Sequence, residues 1–149
     1  MTYRANAYRL CTALFALLVV AAATVAPAHA QQAAPARSKV VLQVSDADSA
    51  KWNLALNNAK NLQADLGAAN VEIEIVAYGP GLNMVKAGSA VSNRIDESVM
   101  AGLNIVACEN TMANQKVTRA EILPGVNYVG AGVVEIMRRQ QQGWTYLRP

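Results

Sequence analysis

The stretch Leu103-Asn104-Ile105-Val106-Ala107-Cys108-Glu109-Asn110-Thr111 decides how this chain is read. Leu103, Ile105 and Val106 form a short apolar run after Gly102, and Ile and Val are β-branched. Such a run reads as a buried strand. Glu109, Asn110 and Thr111 end it, and Asn and Thr are frequent helix caps. Cys108 therefore falls where a strand gives way to a helix. In open α/β sheets, ligands collect at the carboxyl ends of the strands. The first-turn N–H groups of a helix carry partial positive charge and favour a thiolate.

Toward the N-terminus, Arg4 and Arg9 precede an almost wholly apolar run from Leu10 to Val25, and Ala28-His29-Ala30 supplies a small-residue cleavage pattern. This predicts a secretory signal peptide over 1–30, cleaved before Gln31. The run is short of the ~20 apolar residues of a membrane span, and Cys11 lies at its front rather than behind a lipobox, so neither a retained anchor nor a lipoprotein is expected. The mature protein would be periplasmic or secreted.

Removing 1–30 changes the inventory. Lys plus Arg falls from 13 to 11 while Asp plus Glu stays at 10, so the formal net charge drops from +3 to +1. No basic patch remains to argue for nucleic acid or a membrane surface. The single histidine, His29, leaves with the leader. A Ser-His-Asp triad, a Cys-His pair and a histidine metal site are thereby excluded from the mature chain. Of two cysteines only Cys108 remains, which excludes an internal disulfide and a CxxC pair. An unpaired thiol is unusual in an oxidising compartment.

The rest of the chain alternates. Residues 31–38 read as a polar, Ala-rich disordered leader, and 39–149 as one domain. Lys39–Val44 is a first strand. Asp46 and Asp48 after it resemble a hard-cation pair, but an N-cap role fits two lone carboxylates better. Ser49–Leu66 is a helix with Trp52, Leu56, Ala59, Leu62 and Leu66 on its core face, stopped by Gly67. Asn53, Asn57 and Asn61 stack on another face and read as solvated. Val71, Ile73 and Ile75 alternate with Glu72 and Glu74, a strand with one wet face. Leu82–Gly88 is a short irregular piece whose Leu82 and Met84 suggest a subunit contact if exposed and core if not. Val91, Ile95 and Val99 mark a second helix, and Met112–Val117 a short one. Ile122–Val129 is mixed, broken by Pro124 and Gly125. Gly130–Gln142 is the last helix, expected to turn Val133, Ile136 and Met137 inward and Arg138 and Arg139 outward, and Trp144–Leu147 is a final strand or docked tail. Gly130-Ala131-Gly132 lacks the third glycine of a dinucleotide fingerprint, since position 135 is Glu135, and no Walker pattern exists. Its glycines are read as permitting close helix–sheet packing. Alternation of this kind predicts a parallel sheet with helices on both faces.

Taken in order, Trp52-x-x-Ala55-Leu56-Asn57-x-x-x-Asn61, Val71-Glu-Ile-Glu-Ile-Val-Ala-Tyr-Gly79, Ala107-Cys108-Glu-Asn110-Thr111-Met112, Gly132-Val-Val-Glu135-Ile and Gln142-Gly143-Trp144-x-Tyr146 resemble the DsrE/DsrF-like family of sulfur-relay proteins, in particular its small exported branch. The resemblance spans nearly all of 39–149. It implies a three-layer α/β/α sandwich around a mainly parallel five-stranded sheet, assembled as a homo-oligomer, a trimer or hexamer. It also implies a cysteine that carries sulfur as a persulfide between a donor and an acceptor protein. The matching residue is Cys108, with Glu109, Asn110 and Thr111 shaping its turn.

That chemistry needs no metal and no cofactor. It needs a lowered thiol pKa, partial exposure and protection from overoxidation. The helix start favours the thiolate; the adjacent Glu109 opposes it unless turned away. The expectation is thus a reactive sulfur near the surface, in a possible sulfurtransferase or sulfur carrier. Against it stands Cys108 as a small buried hydrophobe, in a non-catalytic oligomeric binding module for a small ligand or protein partner.

Overall fold

The computed structural model describes residues 37–149. The expected signal peptide, 1–30, and most of the expected leader, 31–38, lie outside the described residues. Five strands alternate with four α-helices: β1 (Ser38–Val44), α1 (Ser49–Leu66), β2 (Val71–Ala77), α2 (Ser92–Met100), β3 (Asn104–Cys108), α3 (Glu109–Gln115), β4 (Asn127–Val129), α4 (Gly132–Gln141) and β5 (Thr145–Leu147). The sheet order is β4-β3-β2-β1-β5, and every pairing is parallel. The three-layer α/β/α fold is as expected. The mixed segment Ile122–Val129 holds the short β4 after its Pro124-Gly125 break, and β1 takes in Ser38, one residue of the expected leader.

Strand order explains the layers. From β1 to β4 the chain steps repeatedly in one direction, so right-handed crossovers put the intervening helices on one face of the sheet. From β4 it must return across the whole sheet to reach β5 beside β1. The same handedness then puts α4, alone, on the opposite face.

The two faces differ accordingly. The broad one buries Leu42, Ile73, Ile75 and Ile105 against Leu56, Ile95 and the 3-10 segment Gly79–Val85, whose Leu82 and Met84 are fully buried. Those two residues are core, not a subunit contact. Each such side chain contributes about 1.5–3 kcal/mol. The narrow face has only Val41, Val76, Val106, Ile136 and Trp144.

Helix α1 forms as its spacing dictates. Asp48 Oδ1 accepts the Ala50 N–H at 2.8 Å, the N-cap bond predicted for it, and the Trp52 indole donates to the Asp46 carbonyl at 2.7 Å. Asp46 pairs with Lys51 at 3.1 Å, and no cluster of metal-ligating side chains forms among the described residues. Gly67, at φ +84°, ends the helix. Leu66, expected in the core, lies past its buried stripe and is 41% exposed. Asn53 and Asn57 are not merely solvated: both side-chain oxygens accept from Arg94 of α2, Asn57 at 2.7 Å, so the stripe joins two helices.

Helix α4 departs most from its sequence reading. Ile136 faces inward, but Val133 and Met137 are exposed, while Arg139 turns to the sheet. The reason is Glu74. It sits mid-strand on the narrow face, fully buried rather than wet, and draws in a cation. Its carboxylate also accepts from Asn104 Nδ2 at 2.7 Å, and Asn104 accepts in turn from Asn127 at 2.8 Å. An apolar stripe on α4 would have left this charge unpaired, at a cost of several kcal/mol.

Candidate functional site

Cys108 is the last residue of β3 and itself occupies the N-cap of α3. Asn110 and Thr111 do not cap the helix as expected; Glu109, Asn110 and Thr111 are its first three residues. The cysteine Cβ points to the narrow face, where the loop into α4 crosses it. Gly132 N–H donates to Sγ at 3.3 Å, and the thiol faces the Gly130 carbonyl at 3.9 Å. The Asn110 N–H donates to that same carbonyl at 3.0 Å, tying the loop to the first turn of α3.

The loop can lie this close because it has almost no side chains. A Cβ on Gly132 would stand 3.0 Å from Tyr78 Cβ. The consequence corrects the expectation of a surface sulfur: Cys108 is only 4% exposed. Its cover is thin, since Gly130 directly above it is exposed.

A third segment completes the site. The Thr111 hydroxyl accepts the Gly79 N–H at 3.0 Å, and Gln115 Nε2 donates to the Gly79 carbonyl at 3.0 Å. These bonds strap the β2 exit to α3. Burial alone would raise the Cys108 thiol. It is outweighed by the Thr111 hydroxyl first, then by the N–H groups of Gly132, Thr111 and Asn110, and the thiol sits below its ordinary value. Of these donors Gly132 alone is in hydrogen-bond geometry with the sulfur; the groups of α3 act at poorer geometry, as first-turn dipoles do.

Glu109 behaves as activation requires. Its carboxylate meets Arg119 Nη2 at 2.5 Å, and Arg119 stacks over the Tyr128 ring at 4.3 Å from the centroid. Both charges are largely in solvent, so the pair matters for direction more than for stability.

Sequence reasoning found the turn and missed what surrounds it. Gly130 and Gly132 were read as packing glycines, which they are, but they also lay a carbonyl and an N–H on the sulfur. Arg119 carried no sequence signal, and Tyr78, quoted only within the Val71–Gly79 motif, gave no sign of its contact with Gly132, since each acts through a contact distant along the chain. Two concavities lie away from the cysteine. One, of about 440 Å³, opens between α1 and α2 beside Leu56, Lys60, Arg94 and Leu103 on the broad face. The other, of about 620 Å³, lies at the amino ends of β1 and β5 beside Val40, Leu66 and Leu147.

Among solved structures, this chain is similar to MTH1491 of Methanobacterium thermoautotrophicum, a protein of unknown function. The two share 37% identity over 75% of this chain and 99% of that one, with a TM-score of 0.72. The chain belongs to the family of MTH1491. The ychN protein of E. coli (12% identity, TM-score 0.62, 76% and 99% of the two chains) and the conserved protein BT1422 of Bacteroides thetaiotaomicron, of unknown function (18%, 0.58, 75% and 95%), share the fold. No protein-family model and no curated protein matches. Membership of the MTH1491 family carries the architecture, and the chemistry rests on the residues gathered around Cys108.

Proposed function

We propose that this protein is an exported, DsrE/DsrF-like sulfur carrier in which Cys108 holds a persulfide. The observation that carries the reading is the Gly132 N–H on Cys108 Sγ, added to the first turn of α3. Two chain segments thus aim N–H groups at one sulfur at a strand's carboxyl end, a setting that favours the thiolate.

The chemistry is a two-step exchange. The Cys108 thiolate attacks the sulfane sulfur of thiosulfate or of a donor persulfide. An S–S bond forms on Cys108 as the donor's S–S bond breaks, releasing sulfite or the donor thiolate. An acceptor thiolate then takes the outer sulfur and regenerates Cys108. Glu109, Asn110 and Thr111 serve the turn: Glu109 by pointing to Arg119, Asn110 by anchoring Gly130, and Thr111 by its hydroxyl. With the sulfur 4% exposed, exchange requires the Gly130–Gly132 loop to lift, and its two glycines suit it to do so.

Mass spectrometry after incubation with thiosulfate or polysulfide tests this. A gain of one sulfur, absent in Cys108→Ser, supports the carrier; no gain in the wild type sinks it.

Burial favours the second reading, a binding module with a structural Cys108. Thiol labelling that appears only on denaturation would support it. In either case we propose a homo-oligomer, supported by Val133 and Met137, 58% and 49% exposed one turn apart on α4. We also propose cleavage after Ala30; N-terminal sequencing of periplasmic protein should begin at Gln31.

A further inference from the structure

Helix α4 touches the sulfur at one end and a buried carboxylate at the other. Gly132 opens it with the N–H that reaches Cys108 Sγ. Arg139, seven residues on and about 10 Å along the axis, holds Glu74 through Nε at 3.2 Å and Nη2 at 2.5 Å. Little else fixes the helix. Gly132 and Ile136 are its only buried residues.

The carboxylate is itself immobilised. Asn104 on the next strand donates to it, and Asn127 one strand further on holds Asn104 in place. Arg139 Nε also meets Glu135 Oε1 at 2.8 Å, and the guanidinium lies 4.5 Å from the Trp144 ring. Arg139 is thus gripped by sheet, helix and the approach to β5 together. The other charged groups nearby are Glu72 on β2 and Lys39 on β1, the latter 6.0 Å from the centre of the Trp144 ring. Beside Cys108 the charges are Glu109 and Arg119, which neutralise each other.

We propose that Arg139 is a positioning residue for Cys108: its pairing with Glu74 seats α4 so that the Gly132 N–H is held on the sulfur. The acidity of the thiol is then set from the far end of the helix. A bare hydrophobic contact at Ile136 would leave α4 free to slide or rock; a two-point ion pair to a fixed carboxylate does not.

This rests on the thiolate reading of Cys108 but not on sulfur transfer. The test therefore uses no sulfur donor, and a protein that takes up no sulfur can still pass or fail it. Iodoacetamide alkylation of Cys108 is followed against pH in the purified wild type, Arg139→Met, Arg139→Lys and Leu56→Ala. Leu56→Ala loosens the broad-face core without touching α4. Arg139→Met should raise the midpoint by about one pH unit and speed hydrogen exchange at the Gly132 amide about tenfold. Arg139→Lys, shorter and unable to make both contacts, should shift the midpoint in the same direction by less. Leu56→Ala should leave it unchanged.

A folded Arg139→Met with the wild-type midpoint overturns the proposal. So does an equal shift in Leu56→Ala, which would make the effect one of general loosening. Should Arg139→Met not fold, Arg139→Lys decides: a wild-type midpoint and unchanged Gly132 exchange overturn it.

Discussion

Glu109 and Arg119 meet at 2.5 Å, and that contact turns the charge next to Cys108 away from its sulfur. Arg119→Ala should free the carboxylate and raise the midpoint of Cys108 alkylation by about half a pH unit, the size of an exposed charge effect. The double variant with Glu109→Gln should restore it. An Arg119→Ala midpoint equal to the wild type would show that Glu109 is held by something else.

Thr111 is the largest favourable influence on the thiolate. Thr111→Val removes the hydroxyl dipole beside the sulfur and should raise the midpoint by roughly half a unit. Thr111→Ser keeps the hydroxyl and should stay near the wild type. Equal midpoints for Val and Ser would assign the effect to the backbone alone.

Two glycines should respond differently to alanine. A Cβ at Gly81 would sit 2.2 Å from the Val44 carbonyl oxygen, against backbone that cannot yield. Gly81→Ala should cost about 3 kcal/mol or more of stability in urea denaturation. At Gly132 the obstacle is milder: Tyr78 Cβ at 3.0 Å, a contact that a displacement of the Gly130–Gly132 loop by a few tenths of an ångström relieves. Gly132→Ala should fold, but with Cys108 alkylated faster and at a higher midpoint. A Gly132→Ala thiol as protected as the wild type would mean that the loop is not what covers it.

The strands and helices were legible because their spacing is a local property. The run before Cys108 and the stripe from Trp52 to Ala59 point the way they do in any fold of this class. The short β4 was not legible: three residues after Pro124-Gly125 make a strand only because β3 offers them an edge. The inside of α4 was misread for a related reason. Val133 and Met137 look like core and Arg139 like surface until Glu74, more than sixty positions earlier, is known to face the same helix. Likewise the cysteine turn was legible and its cover was not, because Gly132 meets Cys108 only once α4 has crossed the sheet.

Glu74 gives a pH prediction whose sign opposes the intuition for an ion pair. Burial raises its carboxyl; the hydrogen bond and charge of Arg139 offset that only in part, and Glu135 adds to the rise. Between the ordinary value of 4.5 and the raised one, the native state holds a proton that the unfolded state has lost. The contribution of Glu74 to stability is therefore fully present below that window and falls as pH rises through it. Glu74→Gln cannot titrate. The stability of the wild type minus that of Glu74→Gln should be larger near about pH 4 than near about pH 7. A difference that grows with pH would show that Arg139 outweighs burial.

For the proposed assembly, the wild type should scatter light as an oligomer, and Val133→Glu with Met137→Glu should scatter as a monomer without loss of helix content. A wild-type protein already monomeric at micromolar concentration would refute the assembly, and an oligomer surviving the double variant would move its interface elsewhere.

The order in which the chain is made has a bearing on Cys108. The first strand finishes its pairing only when β5 arrives, the Tyr146 hydroxyl donating to Gln43 at 2.5 Å across 103 positions. The loop over the sulfur, the helix behind it and the strand that anchors both all fall within residues 130–149. Strands β1 to β4 and their helices precede these residues in the order of synthesis. A chain that ended before residue 130 would carry Cys108 with neither its cover nor the N–H of Gly132.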